Sequence, residues 1–310
     1  MNKKNIVVIG LGGVGGYFGF KINKTNKQNQ VSFVARGKTY EIVKEKGLTL
    51  LSPEHQNNTT HPDNIYEHLA EIQNPDLIFI CVKEYDLENV CIQLSKVITK
   101  NTILLPMMNG VDIYDRIRTK LPDNIILPSC IYVASHIKEK GIIEHKGKAG
   151  KLIFGRDPEH FSEDINWVID VINNSKIDYY FKDNSLIDIW TKFIFIASFG
   201  LVTAKYNSSI GIVCSDNTQK EEATEIMKEI KLIATHKGIL LQDNIIGKTF
   251  EKASIFPPET PTSLQLDINS GKENNELELF AGSIIRYGKE LKIELPFTKK
   301  IYGELKKETL

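Results

Sequence analysis

Cysteine is scarce in this 310-residue chain. Cys81, Cys91, Cys130 and Cys214 are the full set, and no two stand at C-x-x-C spacing. That spacing argues against a zinc site or a dithiol redox motif. It fits a cytoplasmic protein whose thiols stay reduced and mostly buried. An excess of either charge is missing too. With 39 Lys and Arg against 39 Asp and Glu, nothing advertises nucleic acid or an anionic membrane as a partner. No apolar run approaches the ~18 residues of a membrane span, and the opening MNKKNIVVIG lacks a signal-peptide layout. The histidines offer no metal-ligand spacing, so no metal is expected. His55, His61 and His68 fall in a polar stretch and read as surface, while His136 and His145 fall among strands and read as structural. Internal repeats and low-complexity tracts are absent. The length then suggests about two domains of ordinary globular composition.

What is present starts with residues 5–19, NIVVIGLGGVGGYFG. Ile6 to Ile9 form an unbroken apolar run, as in a strand buried on both sheet faces. The run breaks into Gly10-Leu11-Gly12-Gly13-Val14-Gly15, which fits G-x-G-x-x-G, and a helical pattern follows through Tyr17, Phe18 and Ile22. Gly10 allows a tight turn, Gly12 lets backbone approach a pyrophosphate, and Gly15 lets the helix pack close to the strand. The helix N-terminus offers N–H groups and partial positive charge to the phosphates. Alone the glycine pattern is weak; strand, loop and helix in this order predict a dinucleotide site.

A second strand over 31–35 ends at Arg36-Gly37. An NAD-binding fold places an acid near this end for the ribose 2′-hydroxyl. Residues 35–38 contain none, whereas Arg36 and Lys38 are cationic, as a 2′-phosphate requires. The expected cofactor is therefore NADP(H). Further strands are expected over 48–51, 76–82 and 102–107, with polar loop and then helix over 57–68 and helices from Asp86 and Val111. This alternation predicts βαβ units and a parallel sheet. Gly10, Arg36, Lys83 and Asn109 all fall at strand carboxyl ends, where such sheets bind ligands. Residues 125–154 read as strands with turns between them, the antiparallel finish of a sheet. The domain boundary is placed near Asp183-Asn184, giving an α/β Rossmann-type domain over 1–183 and an all-helical domain over 184–310. Helices are expected over 187–205, 218–237, 275–291 and 297–307.

Within the first of these helices Ile187, Trp190, Ile194, Ala197 and Leu201 form one stripe, and Phe195, Ile196 and Phe199 share the opposite side with Lys192. A helix apolar all round is a buried helix. A lysine in its middle either serves as acid or base in a buried site or snorkels to solvent. Leu277, Phe280, Ala281, Ile284, Gly288 and Leu291 form the stripe of the 275–291 helix. Glu276 stands in its first turn, where an electrostatic role at the helix start is the alternative to a chemical one. Glu278 is expected in solvent. Thr262 and Ser263 supply hydroxyls ahead of a short helix, as an N-cap would.

These motifs resemble the ketopantoate reductase (2-dehydropantoate 2-reductase) family over nearly the whole length. The resemblance rests on Gly10 to Gly15, Ala35-Arg36-Gly37, Val82-Lys83, Asn109-Gly110, His145-Lys146-Gly147 with Gly155, Trp190-x-Lys192, Ser263 through Asp267, and Glu276-x5-Gly282. It implies an NADPH-binding domain joined to a helical domain of the 6-phosphogluconate-dehydrogenase-like type. It also implies reduction of 2-dehydropantoate to pantoate, on the route to pantothenate and coenzyme A. Carried onto this chain, it makes Lys192 the general acid and Glu276 the residue that orients substrate and holds Lys192. Asn109, Lys192, Ser263 and Glu276 would contact substrate. Gly10, Leu11, Gly12, Gly13, Val14, Gly15, Arg36, Lys83 and Asn109 would hold the cofactor, with Lys83 also near substrate. The partners expected are a small 2-oxo acid and a second copy of the chain in a homodimer. One departure matters. Asparagines common in the family one and two turns after its lysine are replaced by Ile196 and Gly200. A sister reductase of another, more apolar 2-oxo acid is therefore an open reading. A non-catalytic NADP sensor is another, against which Lys192 and Glu276 stand.

Overall fold

The computed structural model describes residues 3–271 and 274–308, with the side chains of 55–57 (His55 among them) and 308 outside the described set. The chain forms two compact units. One comprises Met1–Met108 and Ile113–Ser185, the other Asn109–Asp112 and Leu186–Leu310.

The first unit opens with β1 (Asn5–Ile9), α1 (Gly13–Thr25), β2 (Gln30–Val34) and α2 (Gly37–Lys46). The chain continues through β3 (Leu48–Ser52), β4 (His55–Thr60) and β5 (Asn64–Tyr66). β6 (Leu77–Ile80), α3 (Leu87–Leu94), β7 (Ile103–Pro106) and α4 (Ile113–Lys120) follow. The nucleotide-type sheet runs β5-β2-β1-β6-β7 and is parallel throughout. Ile6, Val7, Val8, Leu77, Ile78, Phe79 and Ile80 are fully buried, because helices and further strands cover such a sheet on both faces. The strand order reverses between β1 and β6, the switch point where open α/β sheets bind ligands.

One expectation is corrected here. Residues 57–68 are not loop and helix. β4 pairs antiparallel with β3, and β5 is the edge strand beside β2. Their polar composition reflects edge positions with a face in water. Residues 125–154 do form strands with antiparallel pairings, as expected, and these lie in sheets separate from the parallel one. Residues 125–127 bridge to β7, and the strands after Pro128 pair elsewhere. β8 (Ser129–Tyr132), β9 (Ser135–Glu139), β10 (Ile142–His145) and β11 (Lys151–Gly155) come next. After α5 (Asn166–Asn174) the unit closes with β12 (Asp178–Lys182). The later strands divide into two small sheets, β4-β3-β10-β9 and β12-β11-β8. The first packs on α1, so α1 lies between two sheets. This placement explains its run of glycines. A side chain at Gly13 would strike the Ser135 carbonyl of β9, and one at Gly16 would strike Ile143 of β10.

In the second unit α6 (Leu186–Tyr206) is the centre. α7 (Ile210–Ser215), α8 (Asn217–His236), α9 (Ile245–Ala253), α10 (Ser263–Asn269), α11 (Ser283–Leu291) and α12 (Pro296–Glu308) complete it. α8, α10 and α12 pack on α6. Trp190, Phe193, Ile194, Phe199, Leu201 and Val202 are almost wholly buried, each burial contributing about 1.5–3 kcal/mol. Ile187, expected in the packed stripe, is exposed because it lies in the first turn of α6, at the edge of the core. Among the described residues α6 is the one helix long and apolar enough to cross a membrane. However, 72% of that window is buried inside the protein, as in a core helix. The single helix expected over 275–291 is interrupted. Glu278–Gly282 is a π turn that widens the backbone before α11. The four cysteines are free, three of them buried, and burial pushes the Cys91 thiol up to about 11.

Candidate functional site

The glycine loop lies at the switch point. Gly10 follows β1 with φ of +89°, and a side chain there would stand 2.7 Å from the Cys81 carbonyl that follows β6. Gly15 is tighter. Its Cβ would fall 1.9 Å from the Gly10 carbonyl oxygen, so α1 rests against the turn that precedes it. Leu11 is buried and anchors the loop, while Val14 is half-buried. Gly12 differs: nothing lies within 4 Å of where its Cβ would be. Gly12 is also the N-cap of α1. No side chain caps that helix, and no acid stands in its first turn. Bare backbone, open space and an uncapped helix start are what a pyrophosphate requires, so these residues fit a dinucleotide.

Arg36 and Lys83 are both exposed, Arg36 at the N-cap of α2 and Lys83 before the short turn Glu84–Asp86. Arg36 is not an isolated cation. Its Nη2 donates to Asp86 Oδ2 at 2.7 Å and its Nη1 to Asp86 Oδ1 at 3.5 Å. The adjacent Gly37 amide, in the first turn of α2, donates to Glu67 Oε1 at 3.0 Å. The sequence expectation missed both carboxylates. Asp86 was read as a helix start, yet its side chain makes no cap. Glu67 follows an edge strand whose short polar stretch gave no strand signal.

His145 is buried between Ser52 Oγ and the Lys148 carbonyl, each at 2.8 Å. His136 is exposed beside Glu144, and His61 and His68 are exposed. Among the described residues no cluster of His, Cys, Asp and Glu could hold a metal ion.

In the second unit Lys192 does not snorkel. It is buried in the middle of α6, and its Nζ donates to Asn109 Oδ1 at 2.5 Å. The segment Asn109–Asp112 follows β7 in sequence but packs with the helices. Asp112, also buried, ties it there by accepting from Arg286 Nη2 at 2.9 Å. Glu276 is buried in the turn leading to the π turn, where Asn275 Oδ1 accepts from the Leu277 amide. Glu278 is bonded by the Tyr302 hydroxyl and Arg286, so it is half-exposed but engaged in a local network. At α10 the cap is Thr262, in a reciprocal capping box with Gln265. Ser263 is left exposed beside it. The face beyond Lys192 is apolar: Gly200 is buried, and a Cβ there would make ordinary contacts with Leu264 and Phe280.

A parallel sheet with a bare glycine loop at its switch point, followed by a helical unit around one buried lysine, defines a dinucleotide-dependent oxidoreductase of two-domain type. Comparison with known proteins gives the family. The N-terminal model described as ketopantoate reductase PanE/ApbA matches residues 6–159, and the C-terminal model matches 184–308. The chain belongs to the ketopantoate reductase family. This is an oxidoreductase family that uses nicotinamide dinucleotides. The uncharacterized oxidoreductase YkpB of Bacillus subtilis is 24% identical, covering 96% of this chain and 97% of its own. The crystal structure of 2-dehydropantoate 2-reductase from Methylococcus capsulatus matches with TM-score 0.86 and 26% identity, over 97% of this chain and 96% of that one. D-mandelate dehydrogenase, solved with NADH and anilino(oxo)acetate, shares the fold with TM-score 0.85 and 19% identity over 98% of both chains.

Proposed function

We propose that this protein reduces 2-dehydropantoate to pantoate with NADPH, in the cytoplasm, on the route to pantothenate and coenzyme A. The observation that carries the reading is the buried Lys192, held by Asn109 in a family of keto-acid reductases. A bound reduced nicotinamide supplies the hydride to the keto carbon. Charge then develops on the carbonyl oxygen, where the Lys192 ammonium stabilises it and gives up its proton. Asn109 accepts a hydrogen bond from Nζ and so aims the donor. Glu276 orients substrate and keeps Lys192 charged, and the exposed Ser263 hydroxyl binds substrate. Gly10 to Gly15, Arg36, Lys83 and Asn109 would hold the cofactor. Water restores the proton to Lys192 after the hydroxy acid leaves. The assembly expected is a homodimer, which sedimentation would read.

A second reading is a sister reductase of a more apolar 2-oxo acid. Ile196 and the packing of Gly200 against Leu264 and Phe280 favour it. A panel of 2-oxo acids assayed for NADPH oxidation separates the two. Turnover of ketopantoate ahead of the rest, even by a small factor, supports the first, and preference for acids with unfunctionalised branched or aromatic side chains supports the second. Tight NADPH binding without turnover of any acid would leave a sensor.

A further inference from the structure

The residues that would recognise a 2′-phosphate are a cation at the end of β2 and the amides at the start of α2. In this fold both are already engaged by carboxylates from elsewhere in the same unit. Asp86 holds the Arg36 guanidinium with two contacts, and Glu67 accepts from the Gly37 amide. α2 has no acid of its own in its first turn, so Glu67 takes the place such a residue would fill. We propose that Asp86 and Glu67 are specificity-determining residues, which narrow the preference for NADPH and let NADH bind at this end of the cofactor. The proposal rests on the cofactor reading above.

The physical reason is a competition. A 2′-phosphate must displace Asp86 from Arg36 and lies against two negative groups. A 2′-hydroxyl needs no cation and donates readily to a carboxylate, as the acid at the end of β2 does in NAD-binding folds. Arg36 is 73% exposed on its side chain, so its ion pair is worth little and gives way to a phosphate without abolishing binding. NADPH therefore stays ahead of NADH, but by less than about tenfold, where an unopposed bidentate arginine would give about ten- to a hundredfold.

The test measures dissociation constants by nucleotide fluorescence for NADPH and NADH, and by competition for 2′,5′-ADP and ADP, which report the adenosine end alone. Asp86→Asn and Glu67→Gln are near-isosteric, and circular dichroism checks that they fold. Each should tighten NADPH and 2′,5′-ADP about three- to tenfold and weaken ADP and NADH about twofold, since a carboxylate acceptor for the 2′-hydroxyl is lost. Arg36→Ala should weaken NADPH and 2′,5′-ADP and leave NADH alone. If Arg36→Ala behaves so while both acid variants keep the unmutated ratio, the proposal is overturned and the cofactor reading stands. If neither NADPH nor NADH binds the unmutated protein, both fall together.

Discussion

The glycine loop supports a paired experiment whose two halves are expected to part company. At Gly15 a methyl group would stand 1.9 Å from a backbone oxygen and 2.7 Å from Cys81 Cβ, where contacts under 3.0 Å are essentially never seen. Neither neighbour is the end of a flexible chain, so α1 must move off β1. Overpacking typically costs 1–3 kcal/mol, and a backbone obstacle puts Gly15→Ala near the top of that range, about 3 kcal/mol. At about 2–4 °C per kcal/mol, melting of the first unit should fall by roughly 6–12 °C. Gly12→Ala is the contrast. Its φ of −72° and ψ of −167° suit any residue, and nothing stands in the way of the methyl group. The loss of a preferred N-cap residue and the gain from a stiffer unfolded chain are each about 0.5–1 kcal/mol and offset each other. Melting should therefore stay within about 3 °C, while the methyl group fills the space kept for the pyrophosphate and weakens NADPH about tenfold or more, 1.4 kcal/mol per decade. Differential scanning fluorimetry and fluorescence titration read the two effects separately. Unchanged NADPH affinity in Gly12→Ala would show that this space is not the cofactor's, and unchanged melting in Gly15→Ala would refute the packing argument.

Lys192→Ala should lower turnover about 10²–10⁴-fold, the usual worth of a general acid, with NADPH affinity unchanged; near-normal turnover would move the acid to Lys83. The ratio of kcat/KM for ketopantoate over 2-oxoisovalerate, which lacks the hydroxymethyl group, should be small. Ile196 and Gly200 supply no donors for that hydroxyl, whereas a site built to bond it discriminates by up to ~10⁴; a ratio in the thousands would assign selectivity to Ser263 and Asn109 instead. A pH dependence follows from Asp157. Burial alone would raise its carboxyl, but hydrogen bonds from Tyr114, the Ile126 and Glu159 amides and Arg118 outweigh burial and hold it below the usual carboxylate range. A lowered folded value means stability that is present above the unfolded value of about 3.9 and lost as pH falls through the folded one. Asp157→Asn should melt lower at neutral pH and lose less on acidification, and an acid limb as steep as in the unmutated protein would refute the assignment.

Read from the sequence alone, β1 and the glycine loop were plain, because an unbroken apolar run before G-x-G-x-x-G encodes strand, turn and helix within fifteen neighbouring residues. α6 was equally plain, since a helix apolar on every side has to be buried. Lys192 stood out for the same reason, although whether it was buried or snorkelled was not legible. Short-range pattern fails where the partner is remote. The polar β4 and β5 form only because β3 and β2 offer them edges, and the strands after Pro128 leave the parallel sheet because of what they pair with. The helix expected over 275–291 gains a π turn at Glu278–Gly282, which periodicity does not encode. Tertiary structure alone brings Asn109 to Lys192, 83 residues apart, and Asp112 to Arg286. It also decides the electrostatics at Arg36. The sequence shows no acid at the end of β2, yet the fold delivers Asp86 from 50 residues away and Glu67 from 30 residues beyond Gly37. Periodicity and motif spacing are properties of neighbouring residues, whereas the charge that a ligand meets is summed over every chain segment the fold brings within a few ångströms.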